Sequence, residues 1–266
     1  MCRHLGYLGP PVPVGHILIR GAHSLRTQAW APRDMRGGGT INADGFGVAW
    51  WSAADAPPNA PAASRYRNAV PIWTDPAVEE VLPQLRSQAV LAAVRSATVG
   101  MPVERSACAP FTHGRWAFSH NGVIGDWQRI LTAVAAEFDT PPLIEAESRT
   151  DSATLWVVLR DLLDRGGAGD PDKPGEILRR VALAVLAHTP AARLNLLLSD
   201  GETLWATTAY HALSALVTDD TAVLASEPYD DDPRWRAIPD RQLVTARPGA
   251  LSVASLELDE SERAHS

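Results

Sequence analysis

The chain has 266 residues, 45% of them hydrophobic and 21% charged, with a formal net charge of −7. That is enough apolar material for a core that needs no staples, and the acidic balance argues against a nucleic-acid partner, whose phosphates require a basic surface. The two cysteines, Cys2 and Cys108, form no Cys-x-x-Cys pair, which argues against a thiolate zinc site and against a secreted disulfide framework. No apolar run reaches membrane length and no signal-peptide apolar region follows the first residues, so a cytoplasmic protein with no membrane partner is expected.

Taken in order, MCRHLGYLG (1–9) reads as a strand starting at the terminus, and 10–24, with Pro10, Pro11 and Pro13, as a turn into a short helix. Gly37 to Gly39 read as a mobile loop, and no Gly-Lys-Ser/Thr follows to make it a phosphate loop. INADGFGVAWW (41–51) reads as a turn entering a buried strand, 53–64 as a surface loop, and AVEEVLPQLRSQ as a helical run broken by Pro83. AVLAAVRSAT (89–98) and RWAFSHNGVIG (115–125) are two apolar strands that end in polar groups, as the edges of a site would. Helices are expected over 126–138, 151–165 and 176–189, with a loop over 166–175 and Thr150, Asp151 or Ser152 as the cap of the second helix. From 193 onward the pattern turns to strands, with hairpin turns at Asp200-Gly201 and Asp219-Asp220, an acidic and aromatic loop over 229–240, a last strand pair and a frayed tail. Strands, then helices, then strands predict an α+β fold of two antiparallel sheets with helices packed against them.

The chemistry starts at Met1-Cys2. A small second residue permits removal of the initiator, and a terminal cysteine would carry a thiol nucleophile and an amine base on one residue; the unperturbed values, about 8.5 and about 7.7–8.0, make that amine usable near neutral pH. A buried terminal cysteine is the plain alternative. His120-Asn121-Gly122 after a strand reads as a good turn, or as two donors for an oxyanion, with Gly122 allowing close approach. Arg95 can clamp a carboxylate bidentately or be an ordinary surface arginine; Asp151 can cap a helix, bind an ammonium group, or do both. Cys108 reads as a buried small hydrophobe.

Cys2, VRSATVG at 94–100, SHNG at 119–122 and RTDS at 149–152 stand in the order seen in class II glutamine amidotransferases, which this chain resembles from residue 2 to about 250. The resemblance implies a four-layer αββα sandwich of the N-terminal-nucleophile (Ntn) hydrolases, a single domain over 2–255 with a tail at 256–266, Cys2 as nucleophile, and Asn121 and Gly122 as the oxyanion hole. It also implies that Arg95, Thr98 and Asp151 hold the glutamyl group, and it implies no cofactor and no metal. MCRHLGYLG, NADGFGVAWW, AAVRSATVGMP, SHNGV, SEPYDDDP and IPDRQLV resemble, more narrowly, the stand-alone γ-glutamyl amidohydrolases of ergothioneine biosynthesis. That branch implies hydrolysis of a γ-glutamyl conjugate whose leaving group carries a trimethylammonium and an imidazole. Glu227, Asp231 and Trp235 are the candidate wall for that cation. Two other readings stand beside this one: a glutaminase component delivering ammonia to a separate synthase, and a non-catalytic Ntn-like binding scaffold. The sequence leaves the oligomeric state, a homodimer included, open.

Overall fold

In a computed structural model, which describes residues 2–34, 36, 41–51, 62–166 and 173–257, the chain forms two antiparallel sheets lying face to face, with helices covering both outer faces. The loop expected at Gly37–Gly39, most of that at 53–64 and at 166–175, and the end of the tail lie outside the described residues.

The first sheet holds β1 (Arg3–Pro13), β2 (Phe46–Trp51), β3 (Ala63–Asn68), β4 (Arg86–Val94), β9 (Leu213–Val217), β10 (Ala222–Ala225) and β11 (Arg236–Ile238), in the order β11-β9-β10-β1-β4-β2-β3. The second holds β5 (Phe111–His113), β6 (Trp116–Val123), β7 (Arg193–Ser199), β8 (Leu204–Thr207), β12 (Gln242–Arg247) and β13 (Ala250–Ser255), in the order β13-β12-β8-β7-β6-β5. Short helices α1 (Val14–Ile19), α2 (Leu25–Gln28) and α3 (Ala77–Glu80) cover the first sheet. α4 (Trp127–Glu137), α5 (Asp151–Gly166) and α6 (Lys173–His188) cover the second. None of the described helices is long and apolar enough to cross a membrane.

Side-chain alternation builds three apolar layers. In β7, Leu194, Leu196 and Leu198 pack against α4–α6, while Leu197 points between the sheets. In β1, Leu5 and Tyr7 pack under α1–α3 and Leu8 faces inward. The inter-sheet layer is rich in alanine (Ala49, Ala89, Ala117, Ala206, Ala215, Ala222), which lets the sheets approach closely.

Several elements differ from expectation. β1 runs on through its prolines to Pro13: β10 pairs with it only over Leu5–Leu8, and the register with β4 is interrupted between Leu8 and Val12, which places Pro10 and Pro11 in the irregular stretch. β6 continues through His120, Asn121 and Gly122 instead of turning there, because β7 pairs with it as far as Val123. The expected hairpins at Asp200-Gly201 and Asp219-Asp220 form, but the chain changes sheet between β8 and β9. β11 lies within the 229–240 segment and closes one edge of the first sheet.

Candidate active site

Strand parity brings the candidate residues together at one end of the sandwich. His4 faces the second sheet, its Nδ1 3.3 Å from Ser119 Oγ, and Cys2, two residues earlier, shares that face. Asn121, two residues after Ser119, is fully buried on the opposing strand, and its Nδ2 donates across the gap to Ser226 Oγ at 3.4 Å. Ser226 Oγ also accepts the backbone N–H of His4 at 3.0 Å, so one hydroxyl ties β1 to the Asn121 amide. Asn121 Oδ1 is buried without a partner among the described residues. Gly122 is sterically required: a Cβ there would lie 1.8 Å from the carbonyl oxygen of Arg193 and 2.5 Å from His120 Nε2.

Arg95 follows the pair Arg3↔Val94 and so stands next to Cys2 in register. The turn read at Asn42–Gly45 fastens it. Arg95 N–H donates to Gly45 O (2.8 Å), Asp44 N–H donates to Arg95 O (3.0 Å), and Ala97 N–H donates to Asp44 Oδ2 (2.7 Å). The Arg95 side chain is buried, and its Nη1 has no partner among the described residues. Cys2 is half-buried, with Sγ 3.7 Å from the carbonyl oxygen of Ser96. Thr98 is exposed in a turn closed by Met101 N–H on its carbonyl (2.9 Å).

Asp151 is buried at the start of α5. Its Oδ2 accepts the Ile124 N–H just past β6 at 2.9 Å, and its Oδ1 accepts the Ser152 N–H at 2.7 Å. Thr150 is the residue whose hydroxyl caps the helix, accepting Ala153 N–H at 3.2 Å. Asp151 is therefore a carboxylate fixed by two backbone donors, with lone pairs to spare.

The leaving-group candidates are used differently. Glu227 is buried against Arg3 (Nε to Oε1, 3.0 Å, side chains 3% and 4% exposed), and it accepts the N–H groups of Arg33 (2.9 Å) and Asp34 (3.2 Å). Arg3 also donates to the carbonyls of Cys2 (3.3 Å) and Asp34. This ion pair staples the 33–34 segment to the residue next to Cys2. Asp231 is exposed and lies 3.4 Å from Arg33. Trp235 stacks edge-on against Tyr229 at 5.1 Å, donates to Asp230 Oδ1 at 2.8 Å, and packs with the α1–α3 layer.

Sequence reasoning missed Ser226 and Arg3, and reads His4 and His211 as structural, with no metal-ligand spacing. His4 and His211 are both pushed down to about 3, first by burial and then by neighbouring cations and histidines, so both are neutral. Ser226 and Arg3 adjoin residues that were singled out, but nothing local marks either one. Cys108 is buried under Gly45, and burial pushes its thiol up to about 11.

A family model described as "Glutamine amidotransferases class-II" matches residues 22–218. Among curated relatives, the gamma-glutamyl-hercynylcysteine sulfoxide hydrolase of Mycobacterium tuberculosis (strain CDC 1551 / Oshkosh) is 41% identical over 257 residues, 97% of each chain. The protein of the same name from Mycolicibacterium smegmatis is 40% identical over 96% of this chain and 100% of its own. Among solved structures, a glutamine aminotransferase class-II domain protein from Silicibacter pomeroyi superposes with TM-score 0.61 at 25% identity, covering 97% of this chain and 100% of that one. Glutamine PRPP amidotransferase from B. subtilis gives TM-score 0.64 at 12% identity, covering 97% of this chain and 50% of that one, a likeness of fold alone. By its family match, its relatives and its two-sheet sandwich, the chain belongs to the class-II glutamine amidotransferases, enzymes of the Ntn-hydrolase fold.

Proposed function

We propose that the chain hydrolyses the γ-glutamyl amide of γ-glutamyl-hercynylcysteine sulfoxide, the compound in its relatives' names, releasing glutamate and hercynylcysteine sulfoxide in ergothioneine biosynthesis. The observation that carries this reading is a thiol beside a buried guanidinium whose Nη1 has no partner among the described residues, Cys2 beside Arg95, across from the fully buried Asn121. A glutamyl group has an anionic α-carboxylate, an α-ammonium and a reactive γ-carbonyl, and Arg95, Asp151 and Cys2 offer one complement to each. Thr98 borders the glutamyl end. Residues 2–255 act as one amidohydrolase domain, in the reducing cytoplasm that an unoxidised Cys2 needs.

In this mechanism, removal of Met1 frees the α-amine of Cys2. The amine takes the thiol proton, and Sγ attacks the γ-carbonyl carbon. The oxyanion of the tetrahedral intermediate accepts from Asn121 Nδ2 and from the Gly122 N–H. When it collapses, the C–N bond breaks, the α-amine returns its proton to the leaving nitrogen, and a thioester remains on Cys2. Water, deprotonated by the same amine, then attacks the thioester and releases glutamate. Loss of one oxyanion donor costs about 10²–10³ in kcat, so Asn121→Ala should fall in that range.

The test is glutamate release by protein whose N-terminus has been verified by intact mass, comparing the sulfoxide conjugate with free glutamine. Turnover of the conjugate that is lost in Cys2→Ala supports the reading. Rapid turnover of glutamine with the conjugate inert refutes the substrate while leaving the nucleophile standing.

A further inference from the structure

The sheet order separates the two sides of the scissile amide. Cys2 lies at the start of β1, flanked by β4 and β10; Asn121 lies on β6, flanked by β5 and β7. Arg95, the candidate glutamyl anchor, extends β4. The two substituents of an amide diverge from its carbonyl, so an acyl chain directed toward β4 sends the nitrogen substituent toward β10 and β7.

On that flank stands an arginine with no acidic partner among the described residues. Asn121 pairs with Asn195 and Val123 with Arg193, and directly opposed residues project to the same face. Arg193 therefore shares the inter-sheet face with Asn121, one same-face pair nearer the end of β6, and its carbonyl lies against Gly122. The neighbouring arginines are neutralised, Arg3 by Glu227, Arg33 by Asp231 and Arg36 by Asp34. The Arg193 guanidinium has no hydrogen-bond acceptor among the described residues; it lies 4.7 Å from the centre of the Tyr210 ring. Tyr210 is itself unusual. It is 42% exposed, its φ is +90°, and it is held there by its N–H on Asp240 Oδ1 (2.7 Å) and by Arg36 Nη1 on its carbonyl (3.0 Å). A bulky residue in that backbone region is strained, and such strain collects at functional sites.

We propose that Arg193, backed by the Tyr210 ring, binds a carboxylate on the amine side of the scissile bond and so selects γ-glutamyl conjugates of α-amino acids over γ-glutamyl amides that lack one. The assignment deepens the reading above and rests on Cys2 as nucleophile and Arg95 as glutamyl anchor. A guanidinium accepts a carboxylate through two parallel hydrogen bonds, and an aromatic face holds its plane in place. In the proposed substrate the carbon bonded to the leaving nitrogen carries a carboxylate; the ammonia released from free glutamine has none.

The experiment compares γ-glutamylglycine with γ-glutamylethylamide, which differ by that carboxylate. Each is measured by kcat/KM, or by Ki against whichever compound is cleaved. Wild type should prefer the glycyl compound, and Arg193→Met should reduce that preference by about 10- to 100-fold, the usual range for a hydrogen bond to a charged group, with Arg193→Lys retaining part of it. Equal losses on both compounds, or no preference in wild type, would overturn the assignment. Tyr210→Gly separates wall from fold. Glycine accepts φ +90° without strain, so the preference should fall while the thermal midpoint does not; a lowered midpoint with the preference intact overturns the role of the ring. A glycyl preference that depends on Arg193, with the hercynyl conjugate untouched, would refute the proposed substrate and leave this subsite standing.

Discussion

Removing Glu227 should damage stability and turnover together. Glu227→Leu puts an apolar side chain where the buried Arg3 guanidinium meets a carboxylate, and breaking a buried ion pair by removing one member costs about 3–5 kcal/mol. The Arg33 and Asp34 N–H groups also lose their acceptor, but the 33–34 segment is partly exposed and water can replace it, so the broken ion pair decides the magnitude. For a chain of this size about 2–4 °C accompanies each kcal/mol, which puts the thermal midpoint roughly 6–20 °C lower. Calorimetry with a reversibility check measures that, and glutamate release measures kcat. The double variant Arg3→Met/Glu227→Leu should recover much of the midpoint, because the buried cation leaves together with its carboxylate, but not kcat, because the Cys2 and Asp34 carbonyls have lost their donor. A loss below about 1 kcal/mol in the single variant, or a double variant no more stable than the single, refutes the reasoning. Glu227→Gln adds a second discrimination. A carboxylate that touches a cationic leaving group would matter only for the cationic conjugate, whereas a strut beside Cys2 lowers turnover of the conjugate and of free glutamine alike.

Three further outcomes are expected. Ser226→Ala frees the Asn121 amide, so kcat should fall by about 3- to 10-fold while KM stays within about twofold, and a change confined to KM would dismiss the orienting role. His4 and His211 titrate near 3 in the folded chain against about 6.5 unfolded. Their contribution is therefore complete above pH 6.5 and lost as pH falls from there toward 3, at most a few kcal/mol each. Urea unfolding at pH 8, 6 and 5 should show that decline, and His211→Asn should flatten it. Iodoacetamide at pH 7.5 should label Cys2 in the folded protein and spare Cys108, whose thiol is buried and held near 11 until urea exposes it; peptide mapping that finds Cys108 labelled first contradicts this.

Element types were legible where local periodicity sets them. The apolar spacing predicts helices over 151–165 and 176–189, which form as Asp151–Gly166 and Lys173–His188, the second starting three residues inside the expected loop, and Asp200-Gly201 closes a hairpin as its turn chemistry dictates. Less legible was whether a motif ends an element or continues it. His120-Asn121-Gly122 has the composition of a turn, yet it stays extended because β7 supplies a partner strand whose Arg193 carbonyl tolerates only glycine opposite. The order of Cys2, the arginine motif, the Asn-Gly pair and the Asp-Ser pair pointed to the family and to the candidate site from sequence alone.

By itself, then, the sequence determined element types, the two-sheet class and the residues able to do acyl chemistry, because periodicity, turn residues and reactive groups are local properties. Only the tertiary structure decided which charges neutralise one another. Arg3 meets Glu227 across 224 positions, and Arg193 meets a ring but, among the described residues, no carboxylate. Pairing between distant residues depends on strand order and register, which emerge when the sheets stack and which no short window of sequence contains.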